Sequence, residues 1–276
     1  MTDGKLYIVA TPIGNLEDIT LRALRVLREA DIIAAEDTRH SLKLLTHYGI
    51  SKPLISYWSE KEKIRAGEIL EKLRAGLSVA LISDAGTPGI SDPGAVLIRQ
   101  AVEEKIDIIP IPGPSAFVAA LSVSGLSTEE FSFAGFLPSK SGPRLKRLEE
   151  LKHEMKTLIF YEAPHRLLQA LSDMREKLGD RKAALAKEIT KLHEEVLRGP
   201  LSEITDALDT RMIAGEYVIL VEGFHVDRLT IDEALSEVLS LMKKGLGRKE
   251  AVKTVAESYG ISKKELYDRS LSVNTT

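Results

Sequence analysis

The sequence predicts an α/β protein: two α/β domains and a helical tail. Three observations carry that reading. Apolar runs of strand length alternate with amphipathic helical stretches over roughly the first 225 residues. Segments rich in Gly, Pro and Asp follow several of the apolar runs, where chain turns are needed. After Gly223 the pattern becomes helical only. The expected boundaries are 1–112 for the N-terminal domain, 113–225 for the C-terminal α/β domain and 226–276 for the tail.

Leu6–Ala10 reads as the first strand and leads into the turn Thr11-Pro-Ile-Gly-Asn15. Thr20 can cap a helix over Leu21–Glu29, where Leu21, Leu24 and Leu27 recur at helical spacing. Asp31–Ala35 is a second strand ending in Glu36-Asp37. Helices follow near Ser41–His47 and over Glu60–Arg74, and Val79–Ser83 and Ile106–Ile109 read as buried strands. The second domain opens with a helix over Ser115–Ser122, a strand over Phe131–Gly135 and a charged helix over Arg144–Lys152. Its other strands are Thr157–Tyr161, Ala183–Ile189, Val196–Arg198 and Tyr217–Glu222, and a helix over His165–Leu178 ends at Gly179.

Composition removes several classes of function. The chain has 276 residues and no cysteine, which excludes disulfides, thiolate metal sites, iron–sulfur clusters and a cysteine nucleophile. Lys and Arg number 38 against 41 Asp and Glu, so a uniformly basic nucleic-acid binder is disfavoured, while local basic patches stay open. The stretch Ile108–Thr128 is free of charge, but Pro110, Pro112 and Pro114 break it into strand, loop and helix. No targeting segment is read at the N-terminus. The expectation is a soluble, cytoplasmic protein with no membrane partner.

In open α/β sheets ligands bind outside the carboxyl ends of the strands, where this chain places its least ordinary segments. Ser83-Asp-Ala-Gly-Thr-Pro-Gly-Ile-Ser-Asp-Pro-Gly94 is a long, turn-constrained loop able to present main-chain groups to an adenosine-like ligand. Its bland alternative is a plain strand–helix connection. Thr11–Leu16 and Pro112-Gly-Pro-Ser-Ala116 have similar character, and the latter opens a helix whose first amides are free. No GKS or GKT makes a Walker loop, no GxGxxG follows the first strand, and no GxSxG supports a serine hydrolase. His165 and His193 lack metal-ligand spacing, and no metal is expected. Charged groups at strand ends, Glu36, Asp37 and Glu188, are candidates to take a proton from a hydroxyl, with solvated charges or helix caps as the alternative.

Seven segments together resemble a known family. They are Val9–Thr20, Ala35-Glu-Asp-Thr-Arg39, Ile82–Gly94, Pro112–Ala116, Gly135-Phe-Leu-Pro138, Phe160-Tyr-Glu-Ala-Pro-His-Arg166 and Thr190-Lys-Leu-His-Glu-Glu195. In this order they look like the bacterial small-subunit ribosomal RNA methyltransferase branch of the tetrapyrrole-methylase superfamily. Tyr57-Trp-Ser-Glu60 and Ala186-Lys-Glu188 differ from that branch's usual pattern. The resemblance implies two α/β domains with S-adenosylmethionine in the cleft between them, and a homodimer. It also implies methyl transfer to the ribose 2′-hydroxyl of a cytidine in 16S rRNA of the small ribosomal subunit, near the decoding centre. Carried onto this chain, it assigns cofactor contacts to Pro12, Gly14, Asp84, Ala85, Gly86, Ile90, Ser91, Ser115 and Ala116. From the second domain it adds Tyr161, Ala186, Lys187, Glu216 and Tyr217. Glu36, Asp37 and Glu188 would handle the proton, and Arg39, Arg166 and Lys191 would hold phosphate or ribose oxygens. A tetrapyrrole or diphthine-type acceptor on the same fold, and a non-enzymatic RNA-binding module, are the alternatives.

The tail has its own signal. Met242–Lys264 holds seven basic residues against two acidic ones, a net of +5 in a chain of −3 overall. Lys249 and Lys253 are four apart, on one helical face, while Val252, Val255 and Ala256 would pack inward. Gly260 would end that helix and Ser262 would cap the next. The expectation is a helix–turn–helix-like arm on rRNA phosphates, with a solvated helical cap as the alternative.

Overall fold

The computed structural model describes residues 4–58, 62–225 and 230–272. It resolves into two compact units, one running to Glu222 and the other from Gly223 onward. The first unit contains two five-stranded sheets.

The first sheet is wholly parallel. Its strands are β1 (Leu6–Val9), β2 (Ile32–Ala35), β3 (Leu54–Ser56), β4 (Val79–Ile82) and β5 (Ile108–Ile111), in spatial order β3-β2-β4-β1-β5. Strands covered on both faces need apolar residues at every position, and β2 and β4 are buried throughout. On one face α1 (Leu21–Glu29) and α2 (Thr38–His47) pack Val26, Leu27 and Leu45 against Val9, Ile33 and Ile82. On the other, α3 (Glu62–Arg74) and α4 (Ala95–Glu103) pack Ile69, Leu73 and Leu97 against Leu6, Ile8 and Leu81. Thus β1 and β4, neighbours in the sheet, send their following helices to opposite faces. That is a topological switch point, and it opens a crevice at their carboxyl ends.

The second sheet is mixed: β6 (Phe131–Phe136), β7 (Thr157–Glu162), β8 (Lys182–Lys187), β9 (Glu195–Pro200) and β10 (Tyr217–Val221), in order β6-β7-β10-β8-β9. Only β6 and β7 run parallel; the other pairs are antiparallel. Period-two alternation divides its residues. Phe160, Leu185 and Ile219 face a core built with α6 (Ser141–Glu150), α7 (Leu167–Leu178) and α8 (Leu201–Leu208). Ile159, Ala184, Ala186, Val218 and Leu220 face α5 (Ala116–Ser124), and Ile13 from the β1 loop packs into the same cluster.

Several elements differ from the sequence expectation. Helix α2 begins at Thr38 rather than Ser41, because the Asp37 side chain accepts the Arg39 amide at 2.8 Å and starts the helix earlier. Strand β5 runs Ile108–Ile111, through Pro110, since that proline lies at the sheet edge. Strand β8 stops at Lys187 instead of Ile189, as Glu188 takes a φ of 50° that ends extended pairing. The segment expected to be helical from His165 starts as a 3₁₀ turn over Pro164–Arg166 before α7. The expected start of α3 at Glu60 lies outside the described residues. Short β3, α4 and α8 were not marked by periodicity.

The second unit has three helices, α9 (Ile231–Lys243), α10 (Arg248–Tyr259) and α11 (Lys263–Leu271). Thr230 and Glu233 form a capping box on α9. Gly260, at φ 62°, ends α10, and Ser262 accepts the Glu265 amide to begin α11. Ala234, Val238, Val252, Val255 and Leu266 form a small core of their own. Among the described residues no helix is long and apolar enough to cross a membrane.

Candidate active site

The carboxyl ends of β1 and β4 are tied together by their loops. Thr11 and Gly86 exchange main-chain hydrogen bonds of 2.8 and 3.1 Å, and the Thr11 hydroxyl donates to the Ser83 carbonyl at 3.1 Å. Gly86 has a φ of +77°, a conformation glycine adopts without cost, and a Cβ there would sit 3.5 Å from the Ile13 side chain. Ser115 is the N-cap of α5 but makes no side-chain capping bond and lines the same crevice, while the Phe117 amide in the first turn of α5 meets the Tyr161 hydroxyl.

The mixed sheet supplies the opposite wall. Tyr161 on β7, Val218 on β10 and Ala186 on β8 lie side by side in register. Between this row and the loops is a cavity of about 520 Å³, a volume suited to a small-molecule cofactor. Of the residues assigned from sequence, Ala85, Gly86, Ile90, Ser91, Ser115, Ala116, Tyr161, Ala186, Glu216 and Tyr217 line it.

The remaining cofactor candidates sit just outside. Pro12 flanks Ile13, which does line the cavity. Gly14 abuts the Thr190–Lys191 turn, where a Cβ would come 2.4 Å from Lys191 Cγ. Asp84 is turned away, its Oδ1 accepting the Asp37 amide at 3.1 Å. Lys187 follows Ala186 on β8, and alternation directs it away from the lined face.

The three carboxylates named for proton handling fare differently. Asp37 is bound to Arg39 at 2.9 Å and caps α2; hydrogen bonds from the Arg39 side chain and amide hold its carboxyl down at about 2. Asp37 lies outside the cavity and caps α2. Glu188 accepts from Lys191 Nζ at 2.8 Å and from the Glu216 amide at 2.9 Å. Burial pushes its carboxyl up, but those bonds outweigh it and leave it lowered. Its side chain fills the space a Cβ on Gly215 would need, so Glu188 braces the turn before β10. Glu36 is half-buried and, among the described residues, has no cationic partner in an ion pair. Burial, with Asp84 and Asp37 nearby, raises its carboxyl against a 3.4 Å bond from the Asp84 amide.

The basic candidates are also placed apart from one another. Arg39 is almost fully exposed on its Asp37 pair. Arg166 is bound at 2.6 Å to the buried Glu162 on β7, with its Nε left without a partner. Lys191 bridges Glu188 and Glu216 at 2.8 and 3.2 Å. Lys249 and Lys253 belong to the helical unit, where with Lys263, Lys264 and Tyr267 they edge a groove of about 360 Å³.

Sequence reasoning missed Asp92, Phe117 and Phe136, all of which line the cavity. Asp92 is pushed up to about 6 by burial first and the Glu36 charge second, against a hydrogen bond with Ser83. Phe136 owes its place to a bulge: the β6–β7 register shifts between Phe133 and Gly135. The extra residue brings Phe133 and Phe136 to the same side, with ring centroids 5.0 and 5.6 Å from Tyr161. The Gly135-Phe136 pair was a usable signal, since glycine inside a strand marks bulges.

Comparison with known proteins agrees with this architecture. Residues 5–205 match the model for tetrapyrrole (corrin/porphyrin) methylases, and residues 230–273 match the RsmI C-terminal HTH domain. A Pseudomonas aeruginosa protein named ribosomal RNA small subunit methyltransferase I is 47% identical over 98% of both chains. Its Synechocystis namesake is 46% identical, again over 98% of each. Among solved structures, uroporphyrin-III C-methyltransferase from Thermus thermophilus, in complex with S-adenyl homocysteine, shares the fold. It has a TM-score of 0.56 and 21% identity, over 79% of this chain and 98% of that one. The chain belongs to the tetrapyrrole methylase family, and within it to the group of ribosomal RNA small subunit methyltransferase I.

Proposed function

We propose that this protein methylates the ribose 2′-hydroxyl of a cytidine in 16S rRNA, near the decoding centre of the small ribosomal subunit. Its cofactor is S-adenosylmethionine, which supplies an electrophilic methyl group when bound. The residues fit such a group. The cavity wall is mostly apolar, as a nucleoside and a thioether chain require, with a few polar groups at Ser115, Asp92 and Glu216. Ala85, Gly86 and Ala116 expose main chain without bulky side chains, and Ala186 leaves room on the opposite wall. These residues would hold the cofactor, with Pro12, Gly14, Asp84 and Lys187 shaping the loops and strand around them.

The protein's part in the reaction is placement and proton handling. Methyl transfer from a sulfonium is an in-line displacement, so most of its acceleration comes from fixing the acceptor oxygen opposite the methyl carbon. The exposed ring of Phe136 at the cavity edge offers a stacking face to an unpaired base. Glu36 raises the negative field behind the cavity, and Arg39, Arg166 and Lys191 would exchange their carboxylate partners for phosphate or ribose oxygens. The lysines of the helical unit, Lys249 and Lys253 foremost, add affinity for rRNA phosphates without selecting the nucleotide. The active form in the cytoplasm is a homodimer, for which exposed Val123 and Phe131 provide apolar surface.

The observation that carries this reading is the coincidence of a cofactor-sized cavity with near full-length identity to relatives named for rRNA methylation. The test is labelled methyl transfer to 30S subunits lacking modification, with mapping of the modified nucleotide and a precorrin as control acceptor. Label confined to a cytidine ribose in 16S rRNA is the expected result. Label on the precorrin alone, or on a base, would overturn the assignment.

A further inference from the structure

We propose that Glu62, with Tyr57 behind it, sets the shape of the loop Ser83–Gly94 and through it the affinity for S-adenosylmethionine; the inference rests on the reading of the cavity as the cofactor's. Glu62 is not among the cavity-lining residues. It is a positioning residue, and the loop transmits its effect.

The loop after β4 returns through Gly94, the N-cap of α4. A helix start leaves amides without partners, and Gly94 has no side chain with which to satisfy them. Glu62, the first residue of α3, does so from another part of the chain. Its Oε1 accepts the Gly94 amide at 2.9 Å, the Val96 amide at 3.2 Å and the Tyr57 hydroxyl at 3.0 Å. The Tyr57 oxygen in turn accepts the Leu97 amide at 3.2 Å, and Tyr57 is fully buried. Two side chains between β3 and α3 thus hold three amides of the turn into α4.

From Gly94 the constraint passes to the cavity. The Gly89 amide donates to the Pro93 carbonyl at 3.2 Å, tying the outgoing limb of the loop to the returning one. The limbs pack main chain on main chain: a Cβ on Gly94 would come 2.9 Å from the Gly89 nitrogen, and one on Gly89 would come 3.3 Å from Ile98 of α4. Ile90 and Ser91, the next residues along, line the cavity. Ser91, at φ 66°, reaches the β6 bulge, its Oγ 3.5 Å from where a Cβ on Gly135 would lie. A shift at Gly94 therefore moves Ile90 and Ser91 against the opposite wall. A loop already in its bound shape spares the ligand the cost of ordering it. If the competent shape falls to about a tenth of the molecules, apparent affinity falls about tenfold.

Two substitutions separate reach from charge. Glu62→Asp keeps the carboxylate but draws it back from Gly94 by one methylene. Glu62→Gln gives up the charge but leaves an oxygen in place for the amides. A third, Arg144→Met, breaks the buried Arg144–Asp173 pair between α6 and α7 and serves as a destabilised control away from the loop. S-adenosylhomocysteine binding by calorimetry is compared for these and wild type, beside KM and kcat on 30S subunits lacking modification. Glu62→Asp is expected to weaken binding and raise the KM for S-adenosylmethionine about tenfold, with kcat at saturating cofactor within about threefold, because bound cofactor itself orders the loop. Glu62→Gln should bind within about threefold of wild type, since the acceptor remains. Arg144→Met should do the same in its folded fraction, being independent of the loop.

Wild-type affinity in Glu62→Asp overturns the proposal. So does a Glu62→Gln protein that binds as weakly as Glu62→Asp, or a kcat that falls while KM stays put. Equal weakening in Arg144→Met also overturns it, by making affinity a consequence of stability. A wild-type protein that binds no S-adenosylhomocysteine would instead bring down the reading of the cavity, and this proposal with it.

Discussion

The two sheets of the first unit contribute to the cavity in opposite ways. The parallel sheet offers loops: Thr11–Asn15, Ser83–Gly94 and the start of α5 leave its carboxyl edge, carrying exposed main chain and Asp92. The mixed sheet offers strands: Tyr161, Val218 and Ala186 form a flat row fixed by register. Parallel strands end together and turn outward together, so polar chemistry gathers at one edge. Antiparallel strands lay side chains out in a grid, so they make a surface. One sheet supplies loop main chain, and the other supplies a flat wall with Glu162 and Glu216 at its end.

If the mixed sheet is the rigid partner, damage to its frame should cost the most stability. Arg144 of α6 and Asp173 of α7 form a fully buried pair at 2.6 Å on its outer side, with Gln169 also bound to Asp173 at 2.8 Å. Arg144→Met leaves Asp173 buried and uncompensated and is expected to destabilise the protein by about 3–5 kcal/mol. Denaturant unfolding measures this; a loss under 1 kcal/mol would show that the frame is not so held. On the loop side the effect should fall on the ligand. Gly86→Val forces a β-branched residue into positive φ, a strain of about 1–3 kcal/mol, at the contact between the β1 and β4 loops. S-adenosylhomocysteine should then bind roughly 10- to 100-fold more weakly while the far-ultraviolet spectrum is retained. Unchanged affinity would remove Gly86 from the cofactor wall.

Legibility in the sequence follows the same division. The loops were readable because glycine, proline and aspartate cluster there for steric reasons that hold whatever the tertiary context. Fully buried strands such as β4 and β10 were readable as apolar runs. What could not be read was packing between distant segments. Asp37, in Glu-Asp-Thr-Arg, has its partner Arg39 two residues away, whereas the burial of Asp92, in Ser-Asp-Pro, and its neighbour Glu36 depend on segments distant in sequence. Glu188 looked like a candidate base from its strand-end position, but its bond to the Glu216 amide depends on β10 lying beside β8. Three residues of β3 are too few for any period to show, and α4 hides behind the turn residues that precede it.

The helical unit lets the comparison be extended to a region that uses charge alone. Its exposed lysines surround an apolar core of eight fully or nearly buried residues, so replacing them leaves packing untouched. Lys249→Ala combined with Lys253→Ala should weaken binding to 30S subunits several-fold and make the dependence of log K on log salt shallower by about 1–2. Cofactor affinity should not move. A salt slope identical to wild type would mean that these two lysines do not meet phosphate.

The smallest expected effect separates the two aspartates through stability alone. Asp37, held near 2, binds fewer protons folded than unfolded, so its contribution is present above about pH 4 and is lost as pH falls toward 2. Asp92 runs the other way. With its carboxyl near 6, the folded protein binds more protons than the unfolded chain between about pH 4 and 6, so its contribution is greatest in acid and is lost as pH rises through 6. Asp92→Asn removes that penalty and should raise Tm by about 2–4 °C at pH 7.5, the shift about 1 kcal/mol gives in a domain of this size, with the gain vanishing near pH 4. Asp37→Asn keeps a capping side chain but loses the Arg39 pair, so its Tm should fall slightly at pH 7.5 and match wild type only in strong acid. Opposite signs at neutral pH are the signature. If both substitutions lower Tm at pH 7.5, Asp92 is a structural carboxylate like Asp37, and the loop edge of the parallel sheet holds no strained acid.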